Sequence, residues 1–215
     1  LFFSILTFMF TSVFAVNVTL NLDMENVTVS DDGVHVAGSF QGWDPAATAL
    51  TDDDGDGVYT VTVDMSSVAD DTVYFKYING NAWGSDETVS DPACGGAGGF
   101  GSDRWLAVPS EDTSLDPVCF SECIGCDQSY VEFEVNAAGF EITDGVRLAG
   151  GFNGWDATVD WMGDEDGDEI YEIRKAFTEG EIIEFKYVLN GNNWENLEVD
   201  FCTTEGEFIN RTLTI

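Results

Sequence analysis

Four tryptophans occur as two pairs whose flanking residues also repeat. Trp43 and Trp155 each follow a Phe-x-Gly turn, and Trp83 and Trp194 each follow an Asn-Gly turn. Flat indole faces can stack on the C–H surfaces of a pyranose ring, while nearby amine, amide or carboxylate groups bond its hydroxyl groups. This combination predicts a shallow sugar-binding surface. The structural alternative is that one tryptophan of each pair packs in a core.

A lysine accompanies each tryptophan pair. Lys76 and Lys186 each lie between a phenylalanine and a tyrosine. Successive side chains of a β-strand point to opposite faces, so the lysine is predicted to lie on the sheet face opposite the aromatic core. There it could bond a ligand hydroxyl group. The alternative interpretation is an ordinary solvated strand lysine.

These residues belong to a long internal repeat. The segment Val34–Asp44 recurs as Val146–Asp156, and the later motifs follow at the same offset of about 110 residues. A period of this size is a domain length and indicates a tandem duplication. We expect one module over residues 16–126 and a second over 127–215. The second module stops within its last predicted strand, so we expect the natural chain to continue.

The elements that carry the repeat are predicted to be β-strands. Short alternating segments such as Val58–Val63 and Val131–Val135 are separated by clusters of Gly, Asp and Asn, and no helical period of useful length occurs. About seven short strands in about 100 residues is the size of an immunoglobulin-like sandwich. The predicted fold is all-β, with two tandem immunoglobulin-like β-sandwich domains after a signal peptide.

The signal peptide is predicted from the first fifteen residues. Leu1 to Ala15 form an apolar stretch that ends in Val-Phe-Ala, with small residues where a signal peptidase reads, although no basic segment precedes it. A buried first strand is the alternative, but the stretch lacks polar alternation. We therefore expect a secreted or cell-surface protein. No later segment is apolar enough to span a bilayer.

Charge and missing motifs exclude several function classes. With 41 Asp and Glu against 7 Lys and Arg, the formal net charge is −34, which repels nucleic acid and anionic membranes. The single histidine, His35, has no nucleophile motif around it, and there is no phosphate-binding loop or Gly-x-Ser-x-Gly. Carboxylates are too abundant for their pairing to indicate catalysis. Binding, not catalysis, is the predicted activity.

The ordered motifs resemble a known family. Gly-Ser-Phe-x-x-Trp, an aromatic-Lys-aromatic strand and Asn-Gly-x-x-Trp are similar to the glycogen-binding module of the AMP-activated protein kinase β subunit and its relatives in branching and debranching enzymes. The resemblance covers nearly all of both copies. It implies an E-set immunoglobulin-like fold and an α-glucan ligand of the starch or glycogen type.

The resemblance also implies roles for particular residues. Two tryptophans would stack on glucose rings, a lysine would bond hydroxyl groups, and a late asparagine would assist. The implied site residues are Trp43, Lys76 and Trp83 in the first copy, and Trp155, Lys186 and Trp194 in the second. The late asparagine corresponds to Asn210 in the second copy but to Asp103 in the first, where the sequence departs from the family pattern.

Five cysteines in an exported chain favour disulfides. A bridge from Cys94 to Cys119 would tie down the glycine-rich loop between Cys94 and Arg104, leaving Cys123 and Cys126 either bridged to each other or exchanged with Cys119. Cys202 corresponds to Cys94 in the second copy, and we expect its partner to lie beyond Ile215. Zinc binding by the three clustered cysteines is a weaker alternative because no fourth ligand is nearby.

Two acidic segments suggest a cation site. Alternating carboxylates open both segments, and the candidate calcium ligands are Asp52, Asp54, Asp56, Asp164, Asp166 and Asp168. An EF-hand loop would need a glutamate at its twelfth position, which is Val63 or Lys175 here, and flanking helices. A hairpin turn, with no metal or other cofactor, is the favoured interpretation.

Two functions from different classes remain. The first is non-catalytic α-glucan binding by tandem modules, within a larger polysaccharide-degrading protein or alone. The second is a structural or adhesive sandwich protein in which the tryptophans pack domain against domain. Tryptophan exposure discriminates between them, because a sugar site keeps both indole faces open.

Overall fold

A computed structural model describes residues 16–66, 68, 71–96 and 101–215. The predicted signal peptide, residues 1–15, lies outside this described part. The chain divides into two compact units between Cys126 and Asp127. Both units are β-sandwiches, so the predicted all-β fold is confirmed. Among the described residues, no helix has the length and apolar character to cross a membrane.

The strands follow the chain in two similar series. The first unit contains β1 (Asn17–Asp23), β2 (Val34–Gly38), β3 (Ala49–Leu50), β4 (Val58–Asp64), β5 (Thr72–Ile78), β6 (Arg104–Ala107), β7 (Thr113–Ser114) and β8 (Val118–Cys119). The second contains β9 (Gln128–Asn136), β10 (Val146–Gly150), β11 (Trp161–Met162), β12 (Ile170–Thr178), β13 (Ile182–Leu189), β14 (Asn193–Trp194) and β15 (Arg211–Thr214). A single 3-10 turn follows β2, at Ser39–Gln41, and another follows β10, at Gly151–Asn153.

Two sheets form the first unit. In one, β1 pairs with β4 on one side and with the short β7 and β8 on the other. In the other, the order is β3-β2-β5-β6. Alternate residues of each strand face the opposite sheet, as period-two burial along β1 shows, and Leu20, Leu22, Val36, Phe75 and Tyr77 lie in the shared core.

The second unit repeats this design with fewer flanking strands. Strands β9 and β12 pair over their whole length, and the facing sheet has the order β11-β10-β13-β14, with β15 also paired to β13. Aromatic rings fill its core. Phe133 meets Phe185 edge to face, with ring centroids 5.0 Å apart. The faces of β13 alternate as predicted, since Phe185 and Tyr187 are buried while Lys186 faces outward.

All four predicted disulfide cysteines are bridged, but the first-ranked pairing is wrong. Cys94 bonds to Cys123, and Cys119 bonds to Cys126. The backbone explains the exchange: Cys119 N–H donates to the carbonyl of Ile124, so the chain turns back and brings Cys126 beside Cys119. Cys123 then lies at the tip of this turn, facing Cys94. These thiols are therefore not zinc ligands.

The acidic segments form the predicted turns, each closed by one antiparallel residue pair, Thr51 with Thr60 and Gly163 with Glu172. The first runs from β3 in one sheet to β4 in the other, joined only by a bridge between Thr51 and Thr60. One carboxylate organises the turn, because Asp52 accepts backbone N–H bonds from Gly55, Asp56 and Gly57. The carboxylates of each Asp triplet lie within 4.8 Å of one another. Calcium binding there stays a prediction.

Candidate functional site

The first tryptophan of each pair is held in a strained position just after the 3-10 turn that follows a core strand. Trp43 and Trp155 have positive φ angles, 64° and 62°, and each donates its backbone N–H to the last glycine of the preceding strand, at 3.0 and 2.8 Å. A bulky residue in this left-handed region costs about 1 kcal/mol or more. Both copies have the same backbone conformation, so each indole is presented in the same way.

A side-chain amide locks the turn that presents this tryptophan. The Gln41 amide bonds the backbone of Val36 and Asp44. Asn153 occupies the same position in the second unit. Its side-chain oxygen accepts a hydrogen bond from the Gly150 N–H, and its side-chain nitrogen donates to the Leu148 carbonyl. Both amides replace backbone partners that the short turn leaves unpaired. Neither amide was predicted as a functional residue, although each stands directly before the Gly-Trp-Asp of the repeat.

The second tryptophan lies across a short gap from the first. Trp83 follows β5 and its Asn-Gly turn, while Trp194 lies in β14. The ring centroids of Trp43 and Trp83 are 6.4 Å apart with the planes inclined at 39°, and those of Trp155 and Trp194 are 6.5 Å apart at 42°. Trp83 is 48% exposed and Trp194 is 39% exposed, and none of the four is a core residue. The core alternative is therefore wrong for both pairs.

Lys76 lies at the base of the first cleft and is fixed by several partners. It is only 5% exposed. Its Nζ donates to Ser102 Oγ at 2.8 Å, to the Glu87 carbonyl at 2.9 Å and to an Asp86 carboxylate oxygen at 3.3 Å. The interpretation of Lys76 as a solvated strand lysine is wrong. Its charge is balanced by acids, which leaves the cleft suited to a neutral ligand.

Asp103 supplies an unused acceptor in the same cleft. It is 2% exposed, its Oδ1 lies 3.9 Å from Lys76 Nζ, and that oxygen has no hydrogen-bond partner in the described part of the chain. Burial raises the pKa of the Asp103 carboxyl, Lys76 opposes the rise, and Asp86 adds to it. A buried acceptor without a partner is costly unless a ligand donor or water meets it.

The first cleft thus brings together all four residues predicted for the first copy. Trp43, Lys76, Trp83 and Asp103 line a volume of about 810 Å³. Asp86, Thr88 and Ser102 complete the lining, and the sequence analysis missed them. Burial opposes ionisation of Asp86, but hydrogen bonds from the Gly84 N–H and from Lys76 hold its pKa below the usual value.

The second cleft brings together the four residues predicted for the second copy in a smaller space. Trp155, Lys186, Trp194 and Asn210 line about 480 Å³. Glu184 and Phe208 are additional lining residues that the sequence analysis missed. Asn210 donates to a Glu184 carboxylate oxygen at 2.9 Å. Within the described residues, Lys186 Nζ makes no ion pair or hydrogen bond, so the two lysines differ in how firmly they are held.

An Arg–Glu pair, buried in the first unit and partly exposed in the second, supports the second tryptophan of each cleft. Arg104 makes a two-point contact with Glu87, at 2.7 and 2.8 Å, and Tyr77 N–H also donates to that carboxylate. Arg211 and Glu195 repeat the contact at 3.0 and 2.9 Å. In each unit the glutamate shares a segment with the second tryptophan. The pair therefore holds that segment against the last strand of the sheet.

The charges of the Arg–Glu pair also act on the pKa values of the groups in and next to the pair. Glu87 raises the pKa of the Arg104 guanidinium in spite of burial, which acts in the opposite direction. In the second unit, burial raises the pKa of Tyr187 to about 12, Arg211 opposing the rise. The arginine lies over the tyrosine ring in both units, at 5.2 and 5.3 Å. Each tyrosine is thus a neutral support beneath the pair.

Comparison with known proteins does not assign the chain to a family. No family model and no curated protein matches the chain. Among solved structures, the chain is similar to the crystal structure of CBMbc (family CBM26) from Eubacterium rectale Amy13K in complex with maltoheptaose, at 12% identity and a TM-score of 0.29, over 93% of this chain and 87% of that one. This likeness is too weak to assign a family.

Proposed function

We propose that the chain binds α-glucan polysaccharide without catalysis, with one site in each β-sandwich unit. The observation that carries the proposal is the repetition of one constellation: two tilted indoles, a lysine and an amide or carboxylate on the outer face of the same sheet. The two clefts have diverged in the residues around them, yet the indole geometry is nearly unchanged.

The geometry favours a curved, neutral ligand. Indole planes inclined at 39° and 42° cannot both lie flat on an extended, ribbon-like chain such as a β-1,4-linked glucan. An α-linked glucan curves from one sugar to the next, so each ring can stack on a differently tilted plane. A net charge of −34 also disfavours anionic polysaccharides. The resemblance of the motifs to glycogen-binding modules points to the same ligand class.

Exposure supports the sugar-stacking role. The second indole of each pair is 48% and 39% exposed, as an aromatic face that meets a sugar ring requires. The proposed setting is outside the cell, and the two disulfides are compatible with it. Two linked sites would gain avidity on a polymer that both can reach.

Affinity electrophoresis tests the proposal. The full chain is run in gels containing amylopectin, glycogen, laminarin, hydroxyethylcellulose or no polymer, beside Trp43→Ala/Trp83→Ala and Trp155→Ala/Trp194→Ala. We expect retardation by amylopectin and glycogen only, reduced by each double substitution and lost when all four are combined. Trp161→Ala is the matched control, because Trp161 is 53% exposed but lines neither cleft. Folded wild type that migrates equally in every gel would refute the proposal.

A further inference from the structure

An exposed aromatic pair lies beside the first cleft, on the same face of the sheet. Tyr74 of β5 and Trp105 of β6 are direct cross-strand partners, and they are 36% and 41% exposed. Each lies two residues along its strand from a lining residue of the cleft, Lys76 or Asp103. Residues two apart on a strand share a face and are separated by about 7 Å.

The second unit has the same backbone positions with different side chains. There the corresponding cross-strand partners are Glu184 of β13 and Thr212 of β15. Neither offers an aromatic face, and Glu184 is already bonded to Asn210. The second cleft is also smaller, at about 480 Å³ against about 810 Å³. The second unit can therefore be compared with the first as a natural variant that lacks the aromatic pair.

Stability of the sheet alone does not account for the pair. Aromatic cross-strand pairs stabilise a sheet, but that gain does not require rings that stay open to solvent. β6 is an edge strand of its sheet, and the Trp105 Nε1–H is bonded to the Pro92 carbonyl at 3.4 Å. This bond limits how the indole can rotate. The ring is thus held in place on an accessible face next to the cleft.

We propose that Tyr74 and Trp105 are a second stacking platform that extends the first site, so that it binds longer stretches of glucan than the second site. The inference rests on the proposed function. A chain whose first sugars stack on Trp43 and Trp83 would run past Lys76 and Asp103 and place further sugars on Tyr74 and Trp105. The second site has Glu184 and Thr212 at these positions and therefore lacks this platform, although Phe208 also lines its cleft.

Calorimetric titration with oligosaccharides of two lengths tests this inference. The first site is isolated in the full chain by Trp155→Ala/Trp194→Ala, and the second by Trp43→Ala/Trp83→Ala. Maltotriose and maltoheptaose are titrated into each. A longer chain can bind any site in more registers, which raises its affinity even without extra contacts. We therefore define the length ratio of a site as its maltoheptaose affinity divided by its maltotriose affinity, and we compare this ratio between the two sites.

We expect the ratio of the maltoheptaose affinity to the maltotriose affinity to be about tenfold larger at the first site, which corresponds to about 1.4 kcal/mol shared by the two rings. Adding Tyr74→Ala/Trp105→Ala should remove that excess while leaving maltotriose affinity within about twofold. Tyr74→Glu/Trp105→Thr, which copies the second unit, provides the same test with residues that this sheet position already accommodates. Trp161→Ala should change neither affinity.

Each outcome is informative. Equal length ratios at the two sites, unchanged by either double substitution, would overturn the extended platform while leaving α-glucan binding intact. Failure of both sites to bind maltotriose and maltoheptaose would instead overturn the proposed function. A converse gain, in which Glu184→Tyr/Thr212→Trp raises the length ratio of the second site, would support the platform directly.

Discussion

Replacing Glu87 by glutamine should destabilise the first unit far more than Glu195→Gln destabilises the second. Glu87 is 1% exposed, and its carboxylate accepts bonds from Arg104, the Tyr77 N–H and the Ser121 N–H. Glutamine removes the negative charge and turns one acceptor into a donor. The buried guanidinium is then left without a counter-charge, and one N–H faces another donor.

The expected magnitudes follow from burial. The Arg104 side chain is 3% exposed, and leaving such a charge unpaired costs about 3–5 kcal/mol. The Arg211 side chain is 35% exposed and can be hydrated after Glu195→Gln, so about 1 kcal/mol is expected there. With a urea dependence of about 1.5 kcal/mol per molar, these costs correspond to midpoint shifts of about 2–3 M and about 0.7 M.

Urea unfolding of the full chain, followed by far-UV circular dichroism and tryptophan fluorescence, measures both shifts. Each substitution should move only the transition of its own unit. Glu87→Gln should also reduce retardation by amylopectin, because Glu87 holds the segment that carries Trp83. Equal midpoint shifts for the two variants, or a larger one for Glu195→Gln, would contradict the assignment of Arg104 and Glu87 as an enclosed, coupled pair.

Three further predictions concern the first unit. Cys94→Ala/Cys123→Ala should lower its free energy of unfolding by about 3–4 kcal/mol, since the bridge closes a loop with a sequence separation of 29, and should leave the second transition unchanged in urea unfolding. Asp103→Asn should stabilise it at pH 7, because burial raises the pKa of Asp103 and ionisation therefore costs stability as pH rises above about 3.9. That gain in stability should disappear near pH 3, where the Asp103 carboxyl of the wild type is protonated in both the folded and the unfolded state. A first unit that is less stable in Asp103→Asn than in the wild type at pH 7 would contradict this prediction. The free energy of unfolding of Trp43→Gly should be about 1 kcal/mol higher than that of Trp43→Ala in urea unfolding, because glycine adopts the φ of 64° without strain. Both variants should lose binding at the first site. A higher free energy of unfolding for Trp43→Ala would show that the turn is not strained.

The all-β fold and the clustering of the eight candidate residues in two clefts could be anticipated from the sequence because both depend on local patterns. Strand alternation placed Lys76 and Lys186 outside the aromatic core, and the repeated Gly-Trp and Asn-Gly-x-x-Trp turns placed four indoles at strand ends. Registers of neighbouring strands were not needed for this. A two-residue period and turn chemistry sufficed.

What the sequence did not reveal depends on contacts between distant segments. The disulfide exchange depends on a turn in which Cys119 N–H bonds the Ile124 carbonyl, and spacing alone does not distinguish that turn from its alternatives. Arg104 and Glu87 meet only because β6 pairs with β5 and the segment after Trp83 folds back over it. The platform of Tyr74 and Trp105 likewise becomes visible only once the register of β5 and β6 is known.

The number of glucan sites per chain is the most direct test of the central claim. Maltoheptaose is titrated calorimetrically into the full chain, into each tryptophan double variant and into the fourfold variant, with folding verified by circular dichroism. The repeated indole pairs predict two sites in the wild type, one in each double variant and none in the fourfold variant. A folded wild type that binds no maltoheptaose, or a fourfold variant that still binds two, would contradict the assignment of the clefts as α-glucan sites.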